Sequence, residues 1–453
     1  MENKMIKEID FSGVVNWDVK NYFRQFNVFK KDVRIVPFGF FITKPEIEKV
    51  KIEDSKEYRI LGVRSYGKGA YINREVKGSS LKMRTYQLAK KDRLFWCKVD
   101  TKNGAFGIIN EELEDGVASS NMTFADINTQ KANTEYIQIL FRSTKVNEYM
   151  DGYVTGTTNR KYIKPDQLRG EIKIPLPPKV EQDRIVATYN QKIKLAKRQE
   201  EKAKQLEQDI ETYLFDVLGI EKVEEQQKTK GLNFISYEFL DVWGADRLLR
   251  GGLTNVLESK KYPNKKLNQL IDVNPRTDLN HLMPDDKMSF IPMKNVSDDY
   301  GLVLKKDEGI KSKSKGYTKF KNGDLIWARI TPCMQNGKSA IVNDLHNGLG
   351  YGSTEYHVLR QINQDYNINF LYHLLRIESV LNDAVNHFTG SAGQQRVPKT
   401  YLENLLIPYP PKEIQIQVAN HVSILKSEIK NLREQAEQNR KQAITDFENE
   451  IFS

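Results

Sequence analysis

Two stretches of the chain carry one pattern: Ile174-Pro175-Leu176-Pro177-Pro178-Lys179-Val180-Glu181-Gln182, and again Ile407-Pro408-Tyr409-Pro410-Pro411-Lys412-Glu413-Ile414-Gln415. In each the prolines exclude helix upstream, because Pro has no N–H to donate and forces the residue before it into extended backbone. The segments downstream of them, about 180–218 and 413–452, contain neither Gly nor Pro and are rich in Lys, Glu and Gln. There Ala203, Leu206, Ile210, Tyr213 and Val217, and likewise Val418, Val422, Leu425, Ile429, Leu432 and Ala436, alternate spacings of three and four. That is the seam of a coiled coil. About 39 residues at 1.5 Å each predict arms of roughly 58 Å. Two such arms in one chain most simply pack on each other, and antiparallel pairing would hold two globular units apart. Gly219 is placed to cap the first arm.

The regions before the two stretches also match. Trp17 stands opposite Trp243 and Trp96 opposite Trp327, which accounts for all four tryptophans. Asn103-Gly104 answers Asn336-Gly337 as a turn dipeptide. Gly116-Val117-Ala118-Ser119-Ser120 answers Gly350-Tyr351-Gly352-Ser353-Thr354, and Thr155 to Arg160 stand where the second half has Thr389 to Arg396. An internal repeat outranks a length prior, so the 453 residues are read as two mostly-β units at 1–175 and 234–408. Their helical arms cover 176–222 and 409–453, with a charged linker at 223–233. Short apolar runs punctuated by Gly, Asn and Asp predict strands at 58–63, 94–99, 107–110, 290–293, 325–330 and 340–343. Helical periodicity predicts one helix over 134–149 and one over 369–388.

No apolar run approaches the ~20 residues that span a bilayer, and the start MENKMIKEID has no apolar signal core. A cytoplasmic location is expected. Cys97 and Cys333 form no metal spacing and no disulfide framework. All six histidines fall in the second half, so a zinc or catalytic role common to both halves is excluded. Pro165-Asp166 and Glu171-Ile172-Lys173 spell a nuclease-like pattern, but the acids are too close to meet across a hairpin and the second half has no counterpart. Lys338-Ser339 after Asn336-Gly337 lacks the earlier Gly of a phosphate loop, where Pro332 stands. Asn274-Pro275-Arg276 is not an amino-methyltransferase motif. No metal site and no catalytic residue is assigned.

The net charge of +10 fits a polyanionic partner if the cations gather beside groups able to read bases. Lys311, Lys313, Lys315, Tyr317 and Lys319 interleave cations, hydroxyls and an aromatic, with Arg329 and Lys338 further on. The first half offers a looser set: Arg64, Tyr66, Lys68 and Arg84. Lys and hydroxyls suit phosphates, which position; Arg, Asn and Gln suit base edges, which specify. Thr157, Thr158, Asn159 and Arg160, and Ser391, Gln394, Gln395 and Arg396, are side chains that either read bases or hold their loops; Ser353 and Thr354 are weaker candidates.

With IPLPPKVEQ and IPYPPKEIQ and their trailing helices, GDLIWARITP at 323–332 and TGSAGQQRVPKTYLENL at 389–405, the chain resembles the specificity subunit of type I restriction-modification enzymes. The first half departs where KDRLFW replaces GDLIW. The resemblance implies an α+β protein with two repeated mostly-β target-recognition domains separated by two long helices forming an antiparallel coiled coil. Each domain would read one part of a split double-stranded DNA target, with the arms setting the spacer. It also implies that the arms dock two methyltransferase subunits, with contacts expected at Ile185, Tyr189, Leu206, Ile210, Val418, Val422, Leu425 and Ile429. S-adenosylmethionine, ATP and Mg²⁺ would belong to methyltransferase and motor/nuclease partners, this chain binding no cofactor and catalysing nothing. A related type IIB or IIG specificity chain, or a coiled-coil protein scaffold, is the alternative.

Overall fold

The computed structural model describes residues 29–97, 104–151, 153, 163–221, 255–391 and 394–452. Trp17, Trp243, the 154–162 loop and the linker therefore lie outside the described residues. Two compact units emerge, one from residues 1–198 with 435–453 and the other from 199–434.

The second unit has three sheets. Asn264–Lys266 pairs with Leu406–Pro408 in a two-stranded antiparallel ribbon. A four-stranded antiparallel sheet runs in the order Ile271–Val273, Tyr356–Gln361, Leu325–Ala328, Ser339–Ile341. A mixed sheet runs Asp307–Ile310, Lys287–Ile291, Leu349–Gly352, Thr318–Lys321, with Lys287–Ile291 parallel to Leu349–Gly352. The first unit repeats this plan. Ile35–Pro37 pairs with Lys173–Pro175, and the antiparallel sheet runs Ile42–Thr43, Met122–Ile127, Arg93–Cys97, Phe106–Ile108. Its mixed sheet runs Lys49–Lys51, Thr85–Leu88, Val117–Ala118, Glu57–Arg64, Gly69–Lys77, with Glu57–Arg64 parallel to Val117–Ala118. The predicted strands all exist, shifted by a few residues. Trp96 and Trp327 occupy matching central strands and are both buried, which explains why a large ring is kept at both places.

Each predicted single helix is two. Thr134–Leu140 is followed by Thr144–Asp151, and Ile368–Leu374 by Glu378–Asn386. In the first pair Ser143 ends the run, its Oγ accepting from Val146 N at 3.3 Å and starting a new helix. In the second, Arg376 leaves the helical path and its guanidinium donates to Gly337 O and, at 2.8 Å, to Asp298 O. The apolar periodicity survives across both breaks because the paired helices cover the same core.

The proline stretches act as joints through one glutamine each. Gln182 Oε1 accepts from Asn133 N at 2.8 Å while its Nε2 donates to Pro177 O and Lys131 O at 2.8 and 3.0 Å. Gln415 repeats this: Oε1 accepts from Asn367 N at 2.7 Å, and Nε2 donates to Pro410 O and Asp365 O at 2.9 and 3.2 Å. Both side chains are buried, and Asn133 and Asn367 are the N-caps of matching helices. A buried amide with its carbonyl and both N–H groups paired is inexpensive; losing it strands three backbone groups.

The arms are Lys179–Leu218 and Lys412–Ile451, about 60 Å each at 1.5 Å per residue. Gly219 takes φ +64, and Ile220 N reaches back to Phe215 O at 2.9 Å, closing the first arm as expected. Within the first unit Arg184 pairs with Glu450 and Lys192 with Asp446. Within the second, Lys202 pairs with Glu428, and Tyr213 lies 4.2 Å from His421, ring centre to ring centre. As one number rises the other falls, so the arms run antiparallel. Among the described residues no helix is long and apolar enough to cross a membrane.

Candidate nucleic-acid interface

One end of the second unit's antiparallel sheet gathers most of the polar loop residues picked out from the sequence. Arg329 N donates to Glu355 O at 2.9 Å, Thr331 N to Gln395 O at 3.1 Å, and Val397 N to Arg329 O at 2.8 Å. Ala328 N reaches Lys338 O at 2.9 Å, which adds the half-exposed Lys338 to the group. Ser353 Oγ accepts from Glu355 N at 3.2 Å and so shapes the turn, while Thr354, Ser391 and Gln394 are exposed.

Of the two roles open to Arg396, reading a base or holding its loop, its contacts fit the second. Its Nε and Nη2 grip both oxygens of Glu355 at 2.9 and 2.7 Å, and Nη1 donates to Gln394 O at 2.8 Å. A bidentate, charge-assisted pair of this kind leaves no fork for a guanine. Arg396 therefore holds the loop. Glu355 is kept below the usual carboxylate range by that hydrogen-bonded pair, with Arg329 adding to it from 3.6 Å. Beneath them His357 is fully buried, with Nε2 2.9 Å from Val397 O and Nδ1 3.0 Å from Asn274 Nδ2. Burial pushes its pKa down to about 4, so it is a neutral strut.

Four residues along the chain from Glu355, Tyr351 belongs to the mixed sheet, and here the basic run is found. Lys313 and Lys315 are exposed, and Tyr317 is 43% exposed against the rings of Phe290 and Tyr351. Lys319 Nζ turns back to Tyr317 O at 3.1 Å, and Lys311 Nζ donates to Leu282 O. Two of the four lysines in this run are thus tied to the chain's own carbonyls, and two face solvent.

In the first unit the candidate cations separate. Arg64, Tyr66 and Lys68 share one hairpin tip, with the Arg64 guanidinium 4.5 Å over the Tyr71 ring and Tyr66 held at φ +59 with 61% exposure. Helix Thr134–Leu140 fixes this tip, since Gln138 Nε2 donates to Gly67 O at 2.7 Å. Gly67 is required there: a Cβ would sit 2.2 Å from the Phe141 carbonyl. Arg84 precedes a different strand, Thr85–Leu88, and is ion-paired with Asp54 at 2.5 Å, so it does not join the group. Thr157, Thr158, Asn159 and Arg160 lie outside the described residues. Asp166, of the nuclease-like pattern, pairs with Arg169 on an exposed short helix. Among the described residues no group of His, Cys, Asp and Glu is placed to hold a metal.

Residues 259–440, which include this whole second-unit surface, match the family model described as the type I restriction modification DNA specificity domain. Over this segment the chain is similar to that domain. The chain is 36% identical over 174 residues to the type I restriction enzyme EcoAI specificity subunit of Escherichia coli, and 35% identical over 162 residues to the EcoEI specificity subunit of the same organism. These matches cover 38% and 35% of the chain and only 29% and 27% of the relatives' own length. A solved structure described as the structural basis of complex assembly and conformational transition of the type I R-M system shares the fold. Its TM-score is 0.54 at 14% identity, covering 93% of this chain and 97% of that one.

The arm that closes the second unit turns its heptad residues inward. Val418, Val422 and Ile429 are buried with Ile210, and Leu206 and Leu425 pack against the same core. In the first unit Ile185 and Tyr189 are buried with Ala443 and Phe447. Heptad positions face the chain's own core, which buries six of these eight side chains and leaves Leu206 and Leu425 half-buried. The exposed apolar residues of the arms are Val180, Leu195, Ile416 and Ile424. Sequence reading also missed Phe290, Tyr351, Lys287 and Glu308, which surround Tyr317; they come from separate strands, and only strand register reveals that they meet.

Proposed function

We propose that the chain is the DNA-reading, non-catalytic subunit of a type I restriction-modification complex, with one unit for each half of a bipartite duplex target. The observation that carries this reading is one scaffold built twice, with matching ribbon, glutamine joint and tryptophan sheet, on which the exposed residues differ. A shared framework with unlike surfaces suits one task performed on two different sequences. In the specificity domain, Lys313 and Lys315 serve phosphates and Gln394 and Thr354 face base edges, while Arg396 keeps their loop in place. In the first unit Arg64 and Lys68 supply the corresponding phosphate contacts.

The partners in this reading are methyltransferase subunits that dock on the exposed arm faces around Val180, Leu195, Ile416 and Ile424, together with a motor/nuclease subunit. S-adenosylmethionine, ATP and Mg²⁺ belong to those partners. The test is binding of the full chain, with and without its methyltransferase, to a duplex library at several salt concentrations. Selection of a split sequence is expected. The affinity should fall with salt at a log–log slope of about 0.9 per phosphate neutralised. Binding that is equally strong for all sequences with both subunits present would defeat the reading.

A further inference from the structure

On the mixed sheet of the second unit three aromatic rings stand around an open hollow. Phe290 and Tyr351 are register partners on parallel strands, with ring centres 5.0 Å apart. Tyr317 completes the set at 5.4 Å from each, edge-on to Phe290 and tilted to Tyr351. The hollow measures about 420 Å³ and is also lined by Lys287, Lys313 and Glu308. Gly309 makes it possible: a Cβ there would fall 2.3 Å from Tyr351 Oη.

The matching place in the first unit is filled. Ile60 and Val117 are the register partners there, and they are buried with Ile52, Leu81 and Tyr86 in an ordinary apolar core. An exposed tyrosine beside two further rings is therefore not something the fold demands.

We propose that this hollow receives one unpaired nucleobase bearing an exocyclic amino group, adenine, cytosine or guanine, from DNA bound along the Lys313–Lys315 surface. The inference rests on the DNA-recognition reading above and deepens it. Ring faces accept any base by stacking, which is worth a factor of about ten or more per base. Lysines at the rim suit the flanking phosphates. The Glu308 carboxylate, 3.4 Å from Lys287 Nζ, accepts from an amino group of the kind adenine N6, cytosine N4 and guanine N2 present, and thymine offers none.

The experiment compares three labelled duplexes that differ only at one position: fully paired, with one bulged adenine, or with one bulged thymine. Affinities for the full chain are read by fluorescence anisotropy at fixed salt. The bulged adenine should bind about tenfold tighter than the paired duplex and tighter than the bulged thymine. Tyr317→Ala should bring the bulged-to-paired ratio to about one, and Tyr317→Phe should keep it. Salt-dependent binding that is equal for all three duplexes, or a bulge preference that survives Tyr317→Ala, overturns the hollow and leaves the DNA-recognition reading standing. Absence of binding to any duplex, by the chain alone and with its methyltransferase present, overturns that reading and the hollow with it.

Discussion

The two units share a skeleton and differ inside it. Ile60 and Val117 in one occupy the register of Phe290 and Tyr351 in the other. On the helices the same holds: Ile139 and Ile193 stand at the positions of His373 and Lys426. The first unit closes these places with aliphatic side chains, and the second keeps rings and cations there. Lys426 Nζ is enclosed with no hydrogen-bond partner, 4.7 Å over the Tyr372 ring, and burial lowers its pKa to about 7. Joint and central sheet are common property, whereas the mixed sheet and the helix interior are where the copies have been free to diverge.

The strongest test of the shared joint is to remove it from each copy in turn. Gln182→Leu and Gln415→Leu each strand one backbone N–H and two carbonyls, and each should cost about 3–5 kcal/mol. Thermal unfolding of the two variants should fall by similar amounts; a large loss in one and none in the other would mean the joints are not equivalent.

A smaller effect separates the units by pH. His357 and His373 have pKa values pushed down by burial to about 4 and about 3. A depressed histidine contributes stability that is complete above the unfolded pKa and is lost as pH falls from about 6.5 toward the folded value. At pH 5 His357 alone should cost the second unit about 2 kcal/mol. The first unit has no histidine among its described residues and should stay flat through this window. Urea unfolding at pH 7.5 and 5, followed in variants that keep only Trp96 or only Trp327, measures the two separately.

Lys426→Ile would copy Ile193 into the second unit. Replacing an enclosed ammonium that has no hydrogen-bond partner with an aliphatic side chain should stabilise that unit by about 1–2 kcal/mol at pH 7. Destabilisation in the same urea assay would show that Lys426 has a favourable partner. At the lower limit, Arg84→Ala breaks an exposed pair whose side chains are 64% and 65% accessible. It should change stability by less than about 0.5 kcal/mol and leave DNA affinity within error.

Much of this architecture was legible because it depends on local rules. Proline without a donor marks where each arm must begin, three-four spacing marks the seam, and four tryptophans that pair across the halves reveal the duplication. The helix breaks at Ser143 and Arg376 were not legible, since each rests on a hydrogen bond from a side chain whose orientation periodicity does not report. The candidate interface was read in part. Composition located the Lys311–Lys319 run, but Lys311 and Lys319 spend their ammonium groups on carbonyls, and Arg396 spends its guanidinium on Glu355.

The covalent order of residues was thus enough for two repeated units and two long helical arms, because proline geometry and heptad spacing act over a few residues and a repeat is legible along the whole chain. Which cations remain free, which heptad residues are already buried, and that Phe290, Tyr317 and Tyr351 enclose one space were settled by strand register and helix pairing. Those bring together side chains from separate strands and helices, and no local rule constrains which groups then meet.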